Sequence, residues 1–136
     1  MTTYVVGFAF DQLQKVWLIH KGKPEWQKGK FNGPGGAVRS DESPIQAMTR
    51  KFHEEAGLLV PTNRWIPFSH ETWDSKDSCY FFTTRLQPGE KPVPMTDEPL
   101  VGISWIVLSY SEWTLMLPDL VYLVPMAYTN LLNHQP

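Results

Sequence analysis

The spacing of apolar positions changes several times along the chain, and each change marks an element. Thr3–Phe10 is almost wholly β-branched, aromatic or small, which predicts a buried strand. Asp11-Gln12-Leu13-Gln14 breaks the run in hairpin fashion before a second strand, Lys15–His20. Lys21–Asn32 is polar and punctuated by Gly22, Pro24 and Gly29, hence a loop. The Gly33-Pro34-Gly35-Gly36 segment that follows suits neither a helix nor an interior strand. From Ser43 the period becomes helical. Ile45, Met48, Phe52 and Ala56 recur at three- and four-residue intervals, Pro44 suits a first turn capped by Ser43, and Gly57 offers a left-handed stop. The pattern predicts an amphipathic helix over Pro44–Ala56. Trp65–Trp73, Ser78–Arg85 and Ile103–Leu108 read as further strands, with a proline-rich connector at Gln87–Pro99. Asp119–Leu132 reads as helical, but Pro125 costs roughly 3 kcal/mol in a helix interior, so a break into two pieces is expected as readily as one helix. No repeat or composition shift marks a second domain, which gives one domain over residues 1–136.

Composition narrows the partners. A formal net charge of −2 exerts no global pull on nucleic acid or anionic membrane, so a phosphate-bearing partner needs local groups or a metal. The single cysteine, Cys79, has no partner for an intramolecular disulfide, and it lies in the apolar run Cys79-Tyr80-Phe81-Phe82. A buried, inert thiol in a reducing compartment is the expectation. No stretch approaches the roughly 20 apolar residues of a membrane span, and Met1-Thr2-Thr3-Tyr4 lacks a basic secretory start. The expected localisation is cytoplasmic. Six tryptophans are many for this length; most such rings fill cores, and a base-stacking role stays open for one or two.

The helix carries the chemistry. Positions 51, 54 and 55 share one of its faces, and adjacent carboxylates at Glu54 and Glu55 repel unless a cation neutralises them. A hard divalent ion with oxygen ligands does so, and Mg²⁺ usually brings substrate phosphates with it. A merely solvated acidic face is the ordinary alternative for such a pair alone. The spacing goes further: Gly36, Glu42, Arg50, Glu54, Glu55, Gly57 and Leu58 fall in a fixed order. This resembles the Nudix box, G-x5-E-x7-R-E-U-x-E-E-x-G-U, over all of Gly36–Leu58. Chance gives the match on the order of 10⁻⁷ per register. The resemblance implies metal binding by Glu54 and Glu55, one of them acting as base, with a carbonyl from Gly35 and a Glu42–Arg50 pair as structural support. Mg²⁺ is the implied cofactor, with Mn²⁺ as substitute. One position departs from the box. Lys51 stands where the family has glutamate, a change of two charge units on the metal face. His53, projecting to the opposite side of the helix, is badly placed to replace it. The expectation is that Lys51 occupies part of the metal cluster and lowers or reorganises activity.

Three further fragments extend the resemblance. Lys30–Gly36 is similar to the W-N-G-x-G-G segment of family members that clean oxidised purine nucleoside triphosphates, which makes Asn32 a base-reading candidate; a turn asparagine is the alternative. Glu98 precedes the strand read at Ile103–Leu108 and is a candidate ligand or base outside the helix, or a plain loop acid. Leu117-Pro118-Asp119 is similar to the family's Trp-Pro-Asp-Asp stretch, with Asp119 as the first base-contacting acid, Leu120 in place of the second and Leu117 in place of a stacking tryptophan. Asp119 also suits a helix N-cap. Trp26 or Phe31 remains available to stack on a base, and Lys21 to stabilise pyrophosphate charge.

The implied architecture is α+β, an α/β/α sandwich with a mixed β-sheet between helices. The implied reaction is Mg²⁺-dependent hydrolysis of a nucleoside triphosphate, oxidised or modified purines included among the substrates, to monophosphate and pyrophosphate. A catalytically weak nucleotide-binding or interaction module and a hydrolase of another nucleoside diphosphate derivative are the rivals. The expected partner is a nucleotide, with no nucleic acid polymer and no membrane, on a monomer or homodimer.

Overall fold

Strand β1 (Thr3–Phe10) organises the molecule because both of its faces are apolar, and a strand sends alternate residues to opposite sides. The computed structural model describes residues 1–73 and 76–134. Among these, six more strands join β1 in one sheet: β2 (Val16–His20), β3 (Phe31–Asn32), β4 (Gly35–Ala37), β5 (Ile66–Trp73), β6 (Asp77–Arg85) and β7 (Leu100–Ile103). β1 and β6 run parallel over the whole of β1, from Thr3↔Ser78 to Phe10↔Arg85. The other pairings are antiparallel, so the sheet is mixed. β1 meets β2 at Phe10↔Val16 and meets β4 at Tyr4–Val6, while β2 pairs with β3 near His20 and with β7 over Val16–Ile19.

A helix covers each face. Val5 and Ala9 of β1 pack with Ala47, Met48, Phe52 and Ala56 of α1 (Pro44–Ala56). Gly7 lies under the same helix, where a Cβ would stand 2.7 Å from Met48 Cε. Phe8 and Phe10 face the other way, against Leu120, Leu123, Val124 and Ala127 of α3 (Leu120–Asn133). The α/β/α sandwich expected from the family resemblance is therefore present. A short α2 (Tyr110–Trp113) precedes α3, with a capping box between Ser109 and Glu112. Ser-x-x-Glu is the sequence signature of such a cap.

Several boundaries differ from expectation. The strand anticipated at Ile103–Leu108 ends where it was to begin: β7 is Leu100–Ile103, followed by a 3₁₀ turn at Trp105–Val107. Its partner β2 ends at Val16, opposite Ile103, so nothing remains to pair with. Ile106 and Val107, apolar enough for a strand, are left exposed while Trp105 Nε1 donates to Gln14 O (3.0 Å). Phe31–Asn32 and Gly35–Ala37 form short strands within a stretch read as loop. Pro125 does not split the C-terminal helix. It forgoes one bond, to the carbonyl of Val121, which lies on an exposed part of α3 where water serves. β5 carries a bulge between Pro67 and Ser69, at the edge of the sheet where a proline is tolerated.

Candidate active site

The start of α1 and its stop hold the site rigidly. Ser43 and Gln46 form a reciprocal capping box, with Ser43 N–H donating to Gln46 Oε1 (2.8 Å). Gly57 ends the helix at φ 73°, and its N–H donates to His53 O (3.1 Å). With Met48, Phe52 and Ala56 locked in the core, Arg50, Lys51, Glu54 and Glu55 are presented to the loop beside β1.

That loop is β4, and its glycines are required by contact. A Cβ on Gly35 would lie 1.9 Å from Val5 O, and one on Gly36 would lie 2.5 Å from Lys51 Cε. Gly7 N–H donates to Pro34 O (2.9 Å) and Val38 N–H to Thr3 O (2.8 Å), which fixes the hydrogen-bonding phase of the β1–β4 pair. Gly35 and Ala37 therefore turn their N–H and C=O away from β1. On that outer edge Arg50 Nη2 donates to Ala37 O (3.1 Å) and Gly35 N–H donates to Glu55 Oε1 (2.9 Å). The Gly35 carbonyl is directed to the same edge as Glu55.

Arg50 ties loop to helix as the sequence suggested. It donates through Nε to Glu42 Oε2 (3.1 Å) and through Nη2 to Glu42 Oε1 (2.5 Å), a fork on one carboxylate. The guanidinium holds the Glu42 carboxyl down at about 2. Arg50 Nη1 also reaches Glu54 Oε1 (3.2 Å). The Lys51 Nζ stands 3.5 Å from Glu54 Oε1 and 3.4 Å from Glu55 Oε2. The two carboxylates are pushed apart in acidity. Burial raises Glu55 above the usual range, against the opposing effects of Lys51, the Gly35 N–H and Lys21. Burial also acts on Glu54, but Lys51 and Arg50 together hold it below its ordinary value.

Glu98 sits against Lys21 and Gly22, beyond the end of β2. Its Oε2 accepts from Gly22 N–H (2.6 Å) and its Oε1 lies 3.5 Å from Lys21 Nζ, which clamps the end of β2. Burial pushes Glu98 up, but the Gly22 N–H and Lys21 keep its carboxyl below the ordinary value. Among the described residues, no three His, Cys, Asp or Glu side chains stand together as a group able to hold a metal ion. The oxygens of Glu54, Glu55 and the Gly35 carbonyl are of the kind a hard divalent ion takes. They fit such an ion once the Lys51 ammonium has moved from between the carboxylates.

A cleft of about 520 Å³ opens beside this face, within the range of small-molecule sites. Lys21, Trp26, Asn32, Gly35, Gly36 and Asp119 all line it. Asn32 is buried, its Oδ1 accepting from Gly33 N–H (2.8 Å) and its Nδ2 making a long contact to Gln27 Oε1 (3.4 Å). Asp119 occupies the N-cap position of α3 but makes no side-chain cap bond. Its own backbone is already helical (φ −75°, ψ −9°), which is not the extended geometry a capping side chain uses, so the N-cap role is corrected. The carboxyl faces the cleft instead, raised by burial and by Glu71. Trp26 is exposed at the rim, whereas Phe31 is stacked on His20 at 4.8 Å and packed against the core. Sequence reasoning missed Trp73 and Glu71. Trp73 lines the cleft with its ring 6.0 Å from Tyr4, and Glu71 Oε2 accepts from Tyr122 Oη (2.9 Å). Both are half-buried on β5, and nothing in the sequence distinguished them beforehand.

Known proteins resemble this chain in sequence and in fold. Residues 2–114 match the family described as the NUDIX domain. The RNA pyrophosphohydrolase of Aliivibrio fischeri (strain MJ11) is 32% identical over 98 residues, covering 60% of this chain and 55% of that protein. The chain thus spans about half the length of the curated relatives it matches. A solved MutT structure, from work on Aliivibrio salmonicida and Vibrio cholerae, superposes with a TM-score of 0.64 at 26% identity, over 75% of this chain and 78% of that one. The solution structure of the E. coli ORF135 protein gives a TM-score of 0.68 over 100% of this chain and 94% of that one. At 20% identity that likeness concerns the fold alone.

Proposed function

Because this chain belongs to the NUDIX family, we propose that it hydrolyses the phosphoanhydride of a nucleoside triphosphate to a monophosphate and pyrophosphate, with Mg²⁺ or Mn²⁺ as cofactor. The observation that carries the reading is the shared wall of the cleft. Gly35 and Gly36, which Glu55 and Lys51 touch, line the same cavity as Asn32 and Asp119. A nucleotide lying in that cavity has its base at the polar amide–carboxyl end and its phosphates at the glycine wall. Beyond its contacts to Gln27 and Gly33, Asn32 keeps one amide donor and one acceptor lone pair for a purine edge, and Trp26 offers a ring face at the rim.

Glu54, Glu55 and the Gly35 carbonyl hold the divalent ion in this reading. When bound, the ion neutralises phosphate charge and lowers the pKa of the attacking water. One of these two glutamates would take the proton from the attacking water. Lys21 draws charge toward itself as the pyrophosphate departs, and Glu98 orients it. Glu42 and Arg50 keep the loop pressed on α1.

The test is a substrate panel. Pyrophosphate and phosphate release are measured with Mg²⁺ over the common and oxidised nucleoside triphosphates, nucleoside diphosphate derivatives and a 5′-triphosphorylated RNA oligomer. The RNA arm is included because the curated relatives are named for RNA, although net charge gives this chain no pull on a polymer. Turnover of a free nucleotide that falls by at least about a hundredfold in Glu55→Gln supports the proposal. Binding without turnover in every arm favours the rival reading of a nucleotide-binding module, for which Lys51 is the specific argument.

A further inference from the structure

The chemistry above leaves Lys51 without a part. Its ammonium stands between Glu54 Oε1 (3.5 Å) and Glu55 Oε2 (3.4 Å), while the second oxygen of Glu55 is taken by Gly35 N–H. The stem reaches this position by lying across Gly36, where a Cβ would stand 2.5 Å from Cε and 3.1 Å from Nζ. The side chain is mostly buried, with 22% of its surface exposed. It is therefore seated among two carboxylates and a glycine backbone, unlike a surface lysine that moves freely in solvent.

We propose that Lys51 is a tethered counter-ion that competes with the divalent metal for Glu54 and Glu55, so that metal enters only as the ammonium leaves. The inference rests on the reading that this carboxylate face receives the ion. Its physical ground is charge and space. Glu42, Glu54 and Glu55 bring three negative charges, and Arg50 and Lys51 already return two. A dication that joins this set meets a face largely neutralised and an ammonium within its own contact distance of both ligands. Without metal, Lys51 removes the repulsion that adjacent glutamates would otherwise exert. With metal, the ammonium is released beside the cleft wall at Gly36, on the side where a phosphate would lie.

Direct metal binding tests this without reference to turnover. Mn²⁺ is titrated by electron paramagnetic resonance, and Mg²⁺ by calorimetry, into the wild type, Lys51→Met, Lys51→Glu and the charge-conserving Lys51→Arg. Removing the charge is expected to tighten metal binding by about tenfold in Lys51→Met and further in Lys51→Glu, with Lys51→Arg close to wild type. Thermal melts supply a second readout. Lys51→Met melts below the wild type in chelator and recovers more than the wild type does on adding Mg²⁺. Equal affinities in wild type and Lys51→Met overturn the competition while leaving the metal site standing. No binding by any of the four proteins at millimolar Mn²⁺ overturns the metal site as well.

Discussion

Glu42 and Arg50 form a residue-scale fork that helps hold the loop on the helix, beside Arg50–Ala37 and Gly35–Glu55. The fork between them was foreseeable, because a carboxylate and a guanidinium at the box spacing meet once the intervening turn closes. Glu42→Gln is expected to lose about 1–2 kcal/mol at neutral pH. The folded carboxyl sits at about 2, below its unfolded value of 4.5, so the stabilisation is complete above 4.5 and fades as pH falls toward about 2. Urea unfolding of both proteins across that range should show the gap closing; a gap unchanged down to pH 3 would refute the pairing. Other residue-scale facts were not legible. Nothing in sequence brings Glu71 of one strand toward Asp119, since only the packing of α3 on β5 and β6 brings them near each other. The loss of the second acid at Leu120 was visible, whereas an acid approaching from β5 was not.

At the scale of elements, legibility followed periodicity. Pro44–Ala56 came out with the boundaries expected because cap, stripe and stop all agree on one answer. Phe52→Ala, which empties a fully buried position between Met48 and Trp65, is expected to cost about 3–5 kcal/mol by chemical denaturation. Where one signal stood against another, sequence alone did not arbitrate. Pro125 argued for a break in α3, but the packing of Leu120, Leu123, Val124 and Ala127 on the sheet overrides it. The conflict remains as unused stability. Pro125→Ala restores a bond to Val121 and is expected to raise stability by about 1 kcal/mol, the helix gain exceeding the entropy that proline withholds from the unfolded chain. A lowered melting temperature would refute it. β7 shows the limit from another side. Its length is set by β2, a partner some eighty residues earlier, and no local pattern in Ile103–Leu108 records where that partner stops.

The cleft is a property of the whole molecule. Lys21, Asn32, Trp73 and Asp119 come from the loop after β2, from β3, from β5 and from the start of α3, and only the closed sandwich makes them neighbours. Single positions were therefore readable by resemblance, but the cavity was not. If a base rests against Trp26, Trp26→Ala should raise KM by about three- to tenfold with kcat little changed, since the ring supplies binding remote from the phosphates. A fall in kcat with KM constant would move Trp26 out of the base site.

The parallel strand pair at the centre has one more consequence, through the chain's lone thiol. Cys79 lies opposite Tyr4 in that ladder, buried between β1 and α3, and burial together with Glu71 and Asp119 raises its thiol far above the ordinary value. It offers little thiolate to a reagent while α3 covers that face of the sheet. An aromatic disulfide in excess will therefore modify native molecules only at the rate at which α3 lifts or the fold opens. The sulfur thereby becomes a clock for unfolding, with no label introduced and no competing thiol to correct for.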